Sequence, residues 1–344
     1  MQSDPSVVND SIRKTLAGLL VLFGLLLATG HPIATRAAAP RIDPVTTRLV
    51  SLLANVTNAT TYRYRATDDA GRTLDCLKIH ELAPGDYLGV YHTLRNREFQ
   101  LHLARSTNLL HWTHRTVLDQ RASQGAIWHG PRGDFLLAYE VNVPKAVIIR
   151  LRHYANLDAL LNARLDREID LPRTLAPTAE GTPSFERVEL DGGLATSRID
   201  LRLHYYREMK VDRAARGTLL GFTNWTARPV PEIDEALYGY GVQGNIGDRD
   251  EFEFAGRKFL IQEGQFRPGD WATWEIYLID EADINAVPVR IRTHAGSRSF
   301  ANPSVTRLRD PAGKWCLAAT LFLPSQGNAR GEAGTLIYVV PEEK

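Results

Sequence analysis

Several side chains in this 344-residue sequence could act on a bound substrate, and they fall at the starts of strand-like segments spaced along the chain. Asp75, Glu180 and Glu186 are carboxylates, Asp248-Arg249-Asp250 is a charged run, and Gln124, His129 and Asn302 occupy comparable places between them. Two carboxylates facing one bond, one protonated as acid and one ionised as base or nucleophile, are what hydrolysis of a glycosidic bond requires. Asp75 and Glu180 supply such a pair. Glu186 is the competing acid, because it alternates onto the same strand face as Ser184. Plainer roles are open to each: Asp75 as an acceptor of backbone N–H groups, Glu180 as a solvated loop carboxylate, Arg249 and Asp250 as a surface ion pair. Trp128 and Trp271 offer flat ring faces for stacking on sugars, although tryptophan in a sheet also serves packing. The sequence has no paired-cysteine or His-x-x-x-His metal spacing and no glycine-rich phosphate loop, so no metal or cofactor is implied.

For such residues to meet, the elements carrying them must converge. Residues 74–79, 87–92 and 99–104 read as short strands separated by Pro84-Gly85-Asp86 and Arg95-Asn96-Arg97-Glu98, the last with apolar and polar residues alternating. Ser106-Thr107-Asn108-Leu109-Leu110-His111-Trp112 then opens an outer strand, completing a four-stranded unit between residues 73 and 119. A second unit uses 125–129, 134–140 and 146–151, with an Asn156-Leu157 turn where Asn108-Leu109 stood. A third spans 178–230, a fourth 244–292, and a fifth 300–340 ends one strand short. Units of about 45 to 55 residues are the period of propeller blades, whose first strands line a central channel. The fold class expected is therefore all-β, a five-bladed β-propeller of four-stranded antiparallel blades, in preference to a sandwich. Residues 61–65 alternate as a strand with no hairpin partner, so they are expected beside 336–340 as the missing outer strand.

The strand, Ser-x-Asn-Leu and His-Trp order of residues 99–112 resembles the blade signature of the arabinanase, fructosidase and xylosidase-like glycoside hydrolases with five-bladed propellers. In that family an Asp opens the first blade as base, and a Glu immediately before Gly-Pro opens the third as acid. The resemblance implies those roles for Asp75 and Glu180, since Ala179-Glu180-Gly181-Thr182-Pro183-Ser184 is similar to the second motif with one residue inserted. It further implies a carbohydrate substrate or ligand, with Trp128, His129, Glu186, Arg249, Asp250 and Asn302 as candidate binding residues. Three departures stand against it. The family's Asp-Pro is Asp75-Cys76 here; the Asp that opens the second blade and tunes the acid has no counterpart in residues 124–129; and the Arg-Asp pair that fructosidases place in the second blade falls here at Arg249-Asp250, in the fourth. The resemblance thus implies a two-carboxylate glycosidase or, with that tuning carboxylate missing, a carbohydrate-binding propeller without catalysis.

Composition sets the outer bounds. Charged residues are 24% and the net charge is +1, which argues against a nucleic-acid partner held through a basic face. Arg13 and Lys14 precede an uncharged run over 16–29 and a small-residue stretch ending at Pro40, the order of an export signal. The chain is expected to be exported, with residues 1–40 a signal peptide or, if uncleaved, a membrane anchor. Residues 41–60 read as a linker containing a short helix, and 61–344 as the propeller. Cys76 and Cys316 are the two cysteines, in the first and last sheets. In an exported ring they could bridge neighbouring blades, or stay as two buried thiols.

Overall fold

Each candidate unit becomes a four-stranded antiparallel sheet in the computed structural model, which describes residues 43–343. The expected export segment, residues 1–40, lies outside the described residues. Among the described residues no helix is long and apolar enough to cross a membrane. The chain opens with α1 (Pro44–Leu53) and β1 (Thr61–Arg63). Blade one is β2 (Asp75–Ala83), β3 (Asp86–Arg95), β4 (Glu98–Ser106) and β5 (Thr113–Gln120). Blade two is β6 (Ala122–His129), β7 (Phe135–Val143), β8 (Ala146–Tyr154) and, after the short α2 (Leu157–Leu161), β9 (Arg167–Asp170). Blade three is β10 (Glu180–Glu189), β11 (Arg198–Arg207), β12 (Val211–Leu220) and β13 (Asn224–Pro229), followed by α3 (Pro231–Tyr238). Blade four is β14 (Arg249–Phe254), β15 (Arg257–Gln265), β16 (Trp274–Asp280) and β17 (Asn285–Val289). Blade five contributes β18 (Ala301–Arg309), β19 (Trp315–Leu323) and β20 (Gly334–Pro341).

The fifth sheet is completed from the other end of the chain. β1 runs antiparallel to β20, with Thr61 opposite Val339, Tyr62 opposite Tyr338 and Arg63 opposite Ile337. This pairing covers the edge that β20 would otherwise present, and closes the ring without a covalent link. Cys76 and Cys316 are both buried and free. They sit on neighbouring blades, but Cys76 is at the start of β2 whereas Cys316 pairs with Leu308 and Pro341 near the far ends of β18 and β20.

Between neighbouring blades lie apolar wedges. Leu88, Leu101, Leu137 and Tyr139 fill one between blades one and two; Leu136, Leu151, Leu201 and Leu203 fill the next. α3 places Ile233 and Leu237 in the wedge between blades three and four. α1 serves the wedge between blades four and five: Asp43 caps it by accepting the Val45 and Thr46 N–H groups at 2.9 and 3.2 Å, and Leu49 and Leu53 are fully buried against Phe259, Leu278 and Leu336. α1 is the short helix expected within residues 41–60; beyond it only a single 3₁₀ turn at Val56–Asn58 continues.

The inner strands of four blades share one irregularity, and it shapes the channel. Cys76, Gln124, Thr182 and Asn302 have φ of 53°, 53°, 44° and 48°. Each sits where the register between first and second strands slips, between Asp75 and Lys78, Ser123 and Ala126, Gly181 and Ser184, and Ala301 and Ser304. These are β-bulges, which re-aim side chains at a strand end. Alternation expected from the sequence is therefore out of phase at each strand start.

Candidate functional site

Where the inner strands begin, the channel opens into a pocket of about 210 Å³ shared by blades two to five. Gln124, Thr182 and Asn302 reach it from the bulges, Asp248 from the residue before β14, and His204 and Glu263 from second strands. Trp271 and Trp274 form one wall with ring centroids 5.9 Å apart, and Trp271 is 47% exposed. An exposed indole beside carboxylates and amides is the surface a sugar ring uses, with its C–H face on the ring and its hydroxyls on the polar groups.

The electrostatic centre is Glu263 and Asp248. Glu263 Oε1 accepts the Asp248 N–H at 2.7 Å, and its Oε2 accepts the Asn302 N–H at 2.6 Å. Burial, reinforced by the charge of Asp248, pushes Glu263 up to about 8, so it stays protonated at neutral pH. Asp248 accepts from Asn302 Nδ2 at 3.4 Å and lies 3.7 Å from the ammonium of Lys78. Lys78 is buried in the channel, 3.8 Å from Asp250, and donates to the Arg249 and Pro303 carbonyls at 3.2 and 3.3 Å. Burial works against its charge, but Asp248 and Asp250 more than offset it, and Lys78 is held above its ordinary value. Arg249 is buried as well, donates to the Thr182 carbonyl at 2.9 Å, and is drawn down to about 10 by burial.

The residues expected from the sequence are spread more widely than one site. Asn302 lines the pocket, and in the channel Arg249 is buried and Asp250 half-buried, where a surface ion pair was the plainer expectation. Asp250 accepts from Ser304 Oγ at 2.5 Å. Asp75 stands at the same end of the channel on the blade-one side, where it accepts the hydroxyls of Thr73 and Thr335 at 2.7 and 3.0 Å. Glu180 is 2% exposed, and its Oε1 accepts the N–H groups of Thr174, at 2.6 Å, and of Leu175 and Ala176. It ties the 174–176 loop to the start of β10.

Trp128 and His129 depart from the expected convergence. They end β6, well beyond the mouth, because the strand starts at Ala122 and not at Gly125. His129 stacks on Phe135 at 4.3 Å, and Trp128 packs in the wedge between blades two and three. Glu186 is likewise away from the mouth. It joins Glu251 and Glu281 between blades three and four, with carboxylate oxygens within 4.8 Å of one another. The cluster is neutralised by the chain's own cations: Arg202 reaches Glu251 at 3.2 Å, Glu186 at 3.3 Å and also Glu281, and Lys258 reaches Glu251 at 2.9 Å.

A larger recess of about 400 Å³ lies on the flank of blade three beside Glu186, Arg198, Asp200 and Arg216. Its charges are largely paired already, Arg198 with Asp200 at 2.9 Å and Arg216 with Glu186 at 3.0 Å. The mouth pocket, with its buried carboxylates and a Glu263 pushed upward by burial, is the better candidate for chemistry.

Pocket and ring together admit comparison with solved structures. A protein described as "Glycoside hydrolase" superposes with a TM-score of 0.55 at 13% identity, covering 82% of this chain and 92% of that one. An "Exo-1,5-alpha-L-arabinanase from Bovine Ruminal Metagenomic Library" gives 0.52 at 10% identity, covering 80% and 95%. The fold is theirs. No protein-family model matches the sequence, and no curated protein does. At such identities the likeness establishes the five-bladed propeller and carries no residue roles.

Proposed function

We propose that this propeller binds a carbohydrate at the channel mouth and hydrolyses a glycosidic bond there, with Glu263 as acid and Asp248 as the carboxylate opposite it. The reading keeps the two-carboxylate chemistry expected from the sequence but carries it on blade four. Asp75, on the blade-one side of the mouth, is left as a further carboxylate for the substrate. What carries the reading is one observation: a buried carboxyl pushed up to about 8 lies beside Asp248 in a pocket walled by an exposed tryptophan. Pairs of carboxylates pushed apart by their surroundings are how acid and base are divided at one pH. Export through residues 1–40 belongs to the same proposal, as it gives the chain access to extracellular glycans.

The test is hydrolysis of a panel of aryl arabinosides, xylosides and fructans. Glu263→Gln and Asp248→Asn should each lower kcat by at least about 100-fold, the usual contribution of a positioned acid or base. Unchanged turnover in both variants removes the assignment.

A second reading, glycan binding without catalysis, has a specific observation behind it. Gln124 occupies the bulge position of the second blade, where the tuning carboxylate of the resembling enzymes has no counterpart, and both Glu263 oxygens already accept an N–H. Calorimetric binding of an oligosaccharide with no product after prolonged incubation would favour it.

A further inference from the structure

His204 breaks a pattern that three other blades keep, Phe322 holding the equivalent position in blade five. In blades one, two and four a second-strand side chain accepts the N–H of the bulge residue in the next blade. His92 Nδ1 takes Gln124 N–H at 3.2 Å, Glu140 Oε1 takes Thr182 N–H at 2.7 Å, and Glu263 Oε2 takes Asn302 N–H at 2.6 Å. Register places His204 at the same position of blade three, opposite Gly181, as His92 is opposite Asp75 and Glu140 opposite Ser123. The matching N–H in blade four, that of Arg249, is instead taken by Asp248 Oδ1 at 2.7 Å. The bracing role is filled without His204. Its Nδ1 is hydrogen-bonded to Thr182 Oγ1, and its Nε2 lies 3.5 Å from Asp212 Oδ1.

Thr182 is unusual in its own right. With φ of 44° it is one of two β-branched residues at positive φ among the described residues, the other being Ile284. That conformation disfavours a branched side chain and is held here by Glu140 on the N–H and Arg249 on the carbonyl, at 2.7 and 2.9 Å. A hydroxyl on a constrained backbone, a histidine bonded to it, and a carboxylate beyond the histidine are the order of parts in a nucleophile relay. All three line the mouth pocket.

We propose that Thr182, His204 and Asp212 give this pocket a second activity, hydrolysis of a small carboxylic ester. Thr182 Oγ1 bonds to the ester carbonyl carbon while its proton passes to His204 Nδ1. The carbonyl electron pair moves onto oxygen, facing the side-chain amides of Gln124 and Asn302 that line the same pocket. Collapse breaks the ester C–O bond, and the leaving alcohol takes the proton back from His204. Water, deprotonated by the same nitrogen, attacks acyl-Thr182, releases the carboxylic acid and restores the hydroxyl. Asp212 is a positioning residue that holds the ring proton on Nε2. The pocket is the one assigned above, but the chemistry rests on different residues, so loss of ester turnover and loss of glycoside turnover are read separately.

The test uses the full chain and p-nitrophenyl acetate. Expected are turnover above buffer and an acetylated peptide whose modified position is Thr182. Thr182→Val should abolish the label and lower kcat at least about 100-fold, while Thr182→Ser keeps both. Asp212→Asn should lower kcat at unchanged KM, which a merely structural role would not do. Should Thr182→Val fail to fold, an acetyl group at the substituted position in Thr182→Ser carries the same information. No turnover above buffer, acetylation elsewhere, or wild-type turnover in folded Thr182→Val overturns the proposal.

Discussion

Replacing Glu263 by Gln should tilt the dependence of stability on pH and not merely lower it. The native carboxyl is pushed from an ordinary 4.5 to about 8 by burial and by Asp248. Because the folded value lies above the unfolded one, the group's contribution is complete below about 4.5 and is lost as pH rises towards 8. At about 1.4 kcal/mol per pH unit, that interval caps the loss at roughly 5 kcal/mol. Gln cannot titrate, so its curve lacks this decline. It also cannot accept two N–H groups: the amide nitrogen meets either Asp248 N–H or Asn302 N–H as donor against donor, at a cost of about 1 to 3 kcal/mol. The variant should therefore be less stable than the parent at pH 5, equal near about pH 6, and more stable by about 2 to 4 kcal/mol at pH 9. Urea unfolding at pH 5 to 9 with a common m-value reads the difference directly, since titrations of groups not coupled to Glu263 cancel between the two proteins. A difference that stays constant over that range refutes the argument that Glu263 is a protonated buried carboxyl.

Further outcomes follow from the same geometry. Leu53→Ala should lower stability by about 2 to 5 kcal/mol in urea, because Leu53 is fully buried against blades four and five; a change under about 0.5 kcal/mol would mean that α1 is not part of the ring's core. Glu180→Gln should cost about 1 to 3 kcal/mol, by disturbing the acceptor of three N–H groups, while leaving kcat on any glycoside substrate within about twofold. Loss of kcat at unchanged stability would return Glu180 to the chemistry. Reducing agent should leave the melting temperature unchanged, and Cys316, pushed up to about 12 by burial, should resist alkylation until the chain unfolds; rapid labelling of the native protein would contradict this.

The ring itself could be read from the sequence because strand number is written in turns and alternation, both local. The closing strand was legible for a similar reason: one sheet lacked an edge and residues 61–65 lacked a sheet. β9, the outer strand expected after the Asn156-Leu157 turn, could not be placed because Arg-Glu-Ile-Asp carries a single apolar side chain and its place is set by pairing with β8. Site residues were read less well, for two physical reasons. Bulges at the strand starts shift alternation, which displaced Trp128 and His129 from the mouth. Glu140, His204 and Glu263 sit in second strands, whereas the candidates were drawn from the first strands that line the channel. A signal was present. Glu140 directly follows the apolar run 135–139 and Glu263 comes two residues after the apolar run 259–261, and a charge carried inward there must either be satisfied or change its pKa. For Glu180, motif position does not reveal the three N–H groups that its carboxylate accepts.

The most direct test of the central claim is a crystal structure of Glu263→Gln soaked with an arabino-, xylo- or fructo-oligosaccharide. The account predicts a sugar ring against Trp271, with a glycosidic oxygen within hydrogen-bonding distance of the amide at position 263 and Asp248 on the facing side. Sugar bound only outside the mouth, for instance in the recess on blade three, or a mouth left empty at saturating ligand, would contradict it.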